Sequence, residues 1–423
     1  MLPIQLFRAN KELVLAGLKK KNFKDLELVD KVINIDERRR ALQVENDTLA
    51  ASANSAAKSI GQLLANGEKE KAGEMKAVVT QNKERNNLVS EQLTALEKEL
   101  NDTLVRLPNL PHSSVPYGKT PEDNEVVRSS GAMPDLTAQK LPHWELAAKY
   151  GLIDFEIGTK ITGAGFPVFM GQGARLQRAL INYFLNYNID AGYKEYCPPF
   201  MVNEASAYGT TQLPDKEGQM YFITEDGFYL IPTAEVPVTN IYRDTIIRED
   251  ELPVKMTAYS PCFRREAGSY GKDVRGLNRV HQFDKVEVVQ LSHPATSYET
   301  LEGMVTHVEL LLQSLELPYR ILRLCGGDMS FGSALTYDFE VYSAAQERWL
   351  EVSSVSNFET FQANRMKIRF KDGGGKTQLV HSLNGSSLAL PRIMACLLEN
   401  NQTPEGIKLP AVLVPYFGKE TIS

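Results

Sequence analysis

Residues 263–283 read FRREAGSYGKDVRGLNRVHQF: four arginines, a lysine, a histidine and a glutamate set among three glycines. The charges keep neither a helical nor a strand period, so they are not one solvated face of a regular element. The apolar run before them reads as a strand entering a charged loop, and RVHQFDKVEVVQ reads as a strand returning. On strand alternation, Arg264 and Glu266 share one face, with Phe263 and Arg265 on the other. Opposite charges two residues apart beside a glycine-rich loop suit a zwitterionic or nucleotide ligand. Arginine grips phosphate or carboxylate in a bidentate fork. Far downstream, NGSSLALPRIMACLLENNQ reads as a strand end followed by a helix, with Arg392 in its first turn. Such a helix start adds backbone donors and a positive dipole end to the same anion-binding chemistry.

These residues need a scaffold. FYLIP, KMTAYSPCF, FDKVEVVQL, YDFEVYSAA, RWLEVSSVS, MKIRF and TQLVHSL are β-rich runs, several following one another without a helix between. Helical stretches such as 174–185 and 300–315 flank them. Consecutive strands argue for an antiparallel sheet with helices beside it, an α+β class, rather than a doubly wound parallel sheet. GGGKT at 373–377 imitates a phosphate loop, but Phe370 stands where its first glycine belongs. MKIRF and TQLVHSL around it read as a strand hairpin instead of strand then helix.

The chain before Leu107 is a separate object. Apolar residues recur with alternating spacing of four and three: Leu28, Val32, Ile35, Leu42, Leu49, Ala53, Ala56, Ile60 and Leu63, interrupted by Arg39 and Asn46. A second seam runs Met75, Val79, Asn82, Asn86, Val89, Leu93, Leu96 and Leu100. The two mirror each other about residue 69, across ANGEKEKAGE. This predicts an antiparallel coiled-coil hairpin from about 28 to 104, with arms of roughly 54 Å at 1.5 Å per residue. Lys58, Lys69, Lys71, Lys76, Lys83 and Arg85 lie toward its tip, as a solvated face or a phosphate track. A segment with Pro108, Pro111, Pro116 and Pro121 then ends helix formation and opens a connection spanning about 107–140. The division expected is an arm over 1–107 and a second domain over 108–423.

Composition narrows the classes. With 423 residues there is room for two domains, and 43% hydrophobic and 24% charged residues are ordinary for a soluble protein. A net charge of −6 confines any polyanion to a local basic patch. No apolar run is long enough to span a membrane and the first residues do not read as a signal peptide. Cys197, Cys262, Cys325 and Cys396 lack metal-ligand spacing, which points to reduced thiols in the cytoplasm and to no zinc site.

FRREAG…GLNRVHQFDKVE resembles motif 2 of class II aminoacyl-tRNA synthetases, GSSLALPR motif 3, and AGYKEYCPPFMV motif 1. TAEVPVTN, EVSSVSNFETFQANR and the hairpin arm resemble the seryl-tRNA synthetases of bacterial type, over essentially the whole chain. The resemblance implies an arm that binds tRNA(Ser), possession of a class II core, and a homodimer through motif 1, with Gly192 and Pro199. It implies ATP, L-serine and Mg²⁺ as small partners, and tRNA(Sec) as a further acceptor where that tRNA exists.

The resemblance also implies roles. Arg264 contacts the α-phosphate and the serine carboxylate, and Arg265 belongs to the ATP set. Glu266 accepts from the adenine amino group and Val280 supplies a backbone contact. Phe283 and Arg392 sandwich the adenine, and Arg392 reaches the γ-phosphate. Glu351, Val352, Ser353 and Ser354 meet ATP, with Glu351 and Ser354 at Mg²⁺. Thr233, Ala234, Glu235, Glu287 and Ser386 bind serine, Glu235 facing its ammonium and Glu287 its hydroxyl. Arg264, Glu287 and Arg392 form the catalytic set. Two stretches depart from the family pattern: Thr211 replaces a glycine, and Phe358, Glu359 and Thr360 replace Cys-Thr-Asp. Two other classes share part of the pattern, an adenylate-forming paralogue serving another acceptor and a non-catalytic coiled-coil scaffold. Neither accounts for the arm and the arginine and glutamate positions together.

Overall fold

The computed structural model describes residues 1–266 and 275–423. The chain divides into two compact units, one of residues 1–19 and 23–108, the other of residues 20–22 and 109–423.

In the first unit, short helices α1 (Ile4–Ala9) and α2 (Lys11–Lys20) precede two long ones, α3 (Glu27–Ala65) and α4 (Lys69–Leu104). Every residue of the two predicted seams is buried or half-buried, from Leu28 and Val32 to Leu96 and Leu100. The polar interruptions are matched across the pair: Ser90 Oγ lies 3.3 Å from Asn46 Oδ1, and Asn82 Nδ2 lies 3.5 Å from Ser52 Oγ. Flanking charges add Arg85–Glu45 at 2.7 Å. The turn is tighter than the sequence suggested. It occupies Asn66, Gly67 and Glu68, with Gly67 at φ +80°, so the mirror point lies near 67 and not 69. The shift arises because Lys69 to Glu74 join the second helix despite Gly73; only Gly67 needs the left-handed conformation that glycine tolerates. At the base, the buried carboxylate of Asp36 is held by Arg8, Arg39 and Arg40.

The second unit is built on an eight-stranded sheet. Its strands in chain order are β1 (Glu125–Ser130), β2 (Lys194–Glu195), β3 (Val254–Phe263), β4 (Gln282–Ser292), β5 (Tyr319–Arg323), β6 (Leu335–Ser343), β7 (Arg348–Asn357) and β8 (His381–Ala389). Their order across the sheet is β1-β5-β6-β7-β8-β4-β3-β2. All neighbours are antiparallel except β2 with β3. Helices α5 (His143–Lys149), α6 (Gly171–Asp190), α7 (Glu235–Asn240), α8 (Ser297–Ser314), α9 (Thr360–Met366) and α10 (Leu390–Asn400) accompany it. Alternating side-chain direction makes the sheet two-sided although β4 is buried from Lys285 onward: Val286 and Val288 of β4 enter a core with Leu180 and Phe184 of α6 and Leu397 of α10, while Lys285 and Glu287 face a cavity.

Two local expectations are corrected. Regular strand alternation does not extend through Arg264–Glu266, because β3 ends at Phe263. Arg264 N still pairs with His281 O at 2.9 Å, but Arg265 N turns to Gln219 O at 3.0 Å and Glu266 adopts φ +48°. The strand read in MKIRF begins only at Arg369, since Met366 closes α9 and Lys367 caps it in the left-handed region. Arg369–Lys371 and Thr377–Leu379 pair as an antiparallel hairpin around GGGKT, as expected. No helix is long and apolar enough to cross a membrane among the described residues.

Candidate active site

One face of the sheet carries a cavity of about 600 Å³. β4 supplies its centre, with Phe283, Lys285 and Glu287 on alternate positions of one strand. β8 adds Asn384 and Ser386, and Ser386 is the register partner of Glu287. β7 adds Glu351, Val352, Ser353 and Ser354. The β6–β7 register slips between Phe339 and Glu340, opposite Val352. That bulge explains how Glu351 and Ser354, three apart, both reach the cavity, where unbroken alternation would send them to opposite faces.

Thr233, Glu235, Arg264, Glu266, Val280 and Arg392 complete the predicted residues that line it. Two predicted residues do not. Ala234 is fully buried in the core beneath the start of α7. The Arg265 guanidinium lies 5.9 Å from the centre of the Tyr221 ring. The sequence between Glu266 and Arg275, the middle of motif 2, lies outside the described residues.

Around Glu287 lies a buried polar cluster. Lys285 Nζ is 2.7 Å from Glu287 Oε2, their side chains only 8% and 3% exposed. Thr233 Oγ1 donates to the same carboxylate at 3.1 Å and accepts from the Glu235 amide at 3.2 Å. Gln362 Nε2 donates to Glu235 Oε1 at 2.7 Å. Burial, then the neighbouring Glu287, push the Glu235 carboxyl up to about 7, against the hydrogen bonds of Gln362 and Asn384 and the charge of Lys285. Burial also raises Glu287, with Lys285 opposing it most. The cluster carries two acids and one lysine, a surplus of negative charge suited to an ammonium group.

Arg264 and Arg392 line the same cavity. Arg264 Nε donates to Pro232 O at 3.4 Å, and its guanidinium lies 5.1 Å over the Phe283 ring. Arg392, third residue of α10, donates from Nε to Asn278 O at 3.1 Å and from one terminal nitrogen to Glu351 O at 2.6 Å. Glu266 pairs with Arg279 at 3.0 Å.

Glu351 and Ser354 are the residues expected at Mg²⁺. The Oδ1 atom of Asp338, register partner of Ser354, is buried without a hydrogen-bond partner. Burial and then Glu351 push the Asp338 carboxyl well above its ordinary range, against a hydrogen bond from Ser354. Oxygen donors with unbalanced negative charge fit a hard divalent cation. Among the described residues no three acidic, histidine or cysteine side chains gather into a metal cage, so such a cation would need further oxygens from a phosphate ligand.

Sequence reasoning missed Lys285, Gln362 and Asn384. Lys285 had a signal, two residues before Glu287 on one strand. Gln362 had none, being 127 residues from the carboxylate it holds. The two departures from the family pattern, noted separately in the sequence, meet in space. A Cβ on Gly332 would lie 2.9 Å from Thr211 Oγ1 and 3.2 Å from Phe358 Cδ1. Thr211 takes the glycine's conformation, at φ +69°.

Both parts of the chain match known proteins. Residues 1–111 match the family description "Seryl-tRNA synthetase N-terminal domain", and residues 221–401 match "tRNA synthetase class II core domain (G, H, P, S and T)". A serine–tRNA ligase of Salinibacter ruber is 49% identical over 99% of this chain and 98% of its own length. The seryl-tRNA synthetase of Pyrococcus horikoshii, solved with ATP, superposes with a TM-score of 0.91 at 33% identity, covering 100% of this chain and 99% of that one. The cytoplasmic enzyme of Naegleria fowleri, solved with AMP, gives 0.88 at 29% identity over 100% and 99%. With arm, antiparallel core and an arginine-lined cavity beside a buried acid cluster, the chain belongs to the seryl-tRNA synthetases of class II.

Proposed function

We propose that the protein ligates L-serine to tRNA(Ser) in two steps, forming seryl-adenylate from ATP and then passing the seryl group to the terminal ribose of the tRNA. The observation that carries this reading is one cavity lined both by Arg264 and Arg392 and by the Thr233–Glu235–Lys285–Glu287 cluster.

The first step joins two anions, the serine carboxylate and the α-phosphate, with pyrophosphate leaving. The nucleophile is already ionised, so no general base is required; the site's task is to hold both anions and offset charge on the transferring phosphoryl group. Arg264 contacts both reacting groups. Phe283 and Arg392 flank the adenine, Val280 and Glu266 read its edge, and Arg392 reaches the γ-phosphate. Arg265 belongs to this set by motif resemblance alone, its side chain turned toward Tyr221 and its amide donating to Gln219 O. Glu235 takes the ammonium. Glu287 takes the side-chain hydroxyl, and a buried carboxylate left unpaired by an amino acid lacking that hydroxyl gives discrimination. Ser386 and Thr233 complete the serine pocket, with Ala234 shaping the backbone between Thr233 and Glu235. Glu351 and Ser354 would hold Mg²⁺ with ATP, and the ion supplies charge neutralisation at the phosphates.

The helical arm reads the tRNA, and the reaction extends to tRNA(Sec) where that tRNA is present. The protein works in the cytoplasm as a homodimer through motif 1. Serine-dependent ATP–pyrophosphate exchange followed by tRNA charging tests the reading. Arg264→Ala is expected to lose on the order of 2–4 kcal/mol of transition-state stabilisation in exchange while remaining folded. Near-parental exchange by a folded Arg264→Ala protein, or exchange without any charging of tRNA(Ser), overturns it.

A further inference from the structure

His143 opens α5 and Glu399 lies in the last turn of α10; both side chains are 0% exposed. His143 Nδ1 lies 2.7 Å from Glu399 Oε1. Its Nε2 accepts the Leu277 amide proton at 2.8 Å. A ring nitrogen that accepts carries no proton, so the imidazole is neutral with its proton on Nδ1, donated to Glu399. The acid is otherwise saturated by the Ser343 hydroxyl, by Gln346 Nε2 at 2.9 Å and by the His143 amide at 3.0 Å.

Neither residue lines the cavity, yet what the imidazole grips does. Leu277, Asn278 and Val280 all line it. Asn278 O accepts from Arg392 Nε at 3.1 Å, and Asn278 Nδ2 donates to Gln346 Oε1 at 2.9 Å. The backbone lies directly on the ring: a Cβ on Gly276, at φ +66°, would fall 2.2 Å from His143 Nε2. Next to it, the Arg275 guanidinium sits 4.5 Å over the Trp144 ring.

We propose that the Glu399–His143 pair is a positioning device for the nucleotide, fixing the backbone of 276–278 and through it Val280 and Arg392. The inference rests on the reading of Val280, Phe283 and Arg392 as ATP-binding residues. A histidine that donates on one side and accepts on the other passes the orientation of a buried carboxylate to a backbone amide, so α10 sets both Arg392 and the segment Arg392 holds. The serine pocket has no share in this chain of bonds. The device therefore acts on one substrate only.

The test varies ATP and serine in turn in pyrophosphate exchange. His143→Phe and Glu399→Leu are expected to raise KM for ATP about tenfold, the cost of one buried hydrogen bond, with KM for serine within twofold of the parent. Glu399→Gln keeps an oxygen for the Nδ1 proton and is expected to restore most of the ATP affinity. If either disruptive variant fails to fold, Glu399→Asp, which draws the carboxylate back by one methylene, is expected to give the same one-sided change at smaller size. Arg392→Ala is the reference. If it weakens ATP while the folded pair variants do not, the pair is merely structural and the inference falls with the nucleotide reading intact. Equal rises in both KM values also overturn it. An Arg392→Ala protein with the parent's KM for ATP overturns the nucleotide reading, and the anchor with it.

Discussion

Gln362 Nε2 donates to Glu235 Oε1 at 2.7 Å, and Gln362 Oε1 accepts from Ser382 Oγ at the same distance. The amide is thus fixed at both ends, so its donor cannot flip away from the carboxylate. A charge-assisted bond of this kind fixes the orientation of the acid, which the proposed ammonium contact requires. Gln362→Leu is expected to lower kcat/KM for serine by on the order of 1.5–3 kcal/mol. KM for ATP should stay close to the parent's. Steady-state exchange with each substrate varied separately measures both.

Glu235 gives the protein a pH signature. Burial, then Glu287, raise its carboxyl to about 7, with Gln362, Lys285 and Asn384 opposing. An ammonium ligand requires the ionised form, so kcat/KM for serine should rise with pH and level off above about 7. The stability effect has the opposite sense. Below the ordinary carboxylate pKa the group is protonated in folded and unfolded chains alike and costs nothing. The cost grows as pH rises and is complete above the folded value. Glu235→Gln should therefore stabilise the protein by on the order of 1–3 kcal/mol at pH near 8 and hardly at all near pH 4, while losing serine activation. Calorimetry at the two pH values checks the sign.

Lys285 balances Glu287 in a dry site. Removing one partner of a buried pair leaves the other uncompensated, so Lys285→Met should cost roughly 3–5 kcal/mol at pH near 8. The loss should shrink as pH falls and Glu287 protonates. Adding Glu287→Gln to Lys285→Met should recover most of the stability without recovering serine activation. Denaturant titration of the single and double variants distinguishes this from a simple packing defect.

The arm should be dispensable for activation. The residues assigned to the chemistry fall between Thr233 and Arg392, whereas the hairpin spans Glu27–Leu104. Replacing it with a short Gly/Ser linker is expected to spare pyrophosphate exchange and abolish charging of full-length tRNA(Ser). Raising salt in the intact enzyme should weaken charging and leave exchange near its low-salt value, because phosphate contacts release counterions. Charging by the armless protein at close to parental efficiency would show the arm to be structural.

The arm was almost fully legible in the sequence, because a coiled coil is a local object. Its seam repeats every seven residues, so burial at Leu28, Val32, Leu96 or Leu100 follows from position in the repeat. Only the turn moved, since a single residue, Gly67, could take the left-handed conformation. Most of the arginines and glutamates that line the cavity were legible too, through motif resemblance. Strand period alone, however, sends Glu351 and Ser354 to opposite faces, and a bulge opposite Val352 brings them together. Arg265 carries the same charge as Arg264 in the sequence, but the chain leaves the β3–β4 ladder there and its side chain turns to Tyr221. Gln362 and His143 were beyond sequence reading. Each acts on a partner more than 120 residues away, and a hydrogen bond of that span leaves no period or spacing along the chain. The sequence by itself determined most of the residue types that line the cavity. The sheet and the helices packed on it decided their mutual distances, their burial and so the charges they carry, because desolvation and pairing exist only once remote segments are in contact.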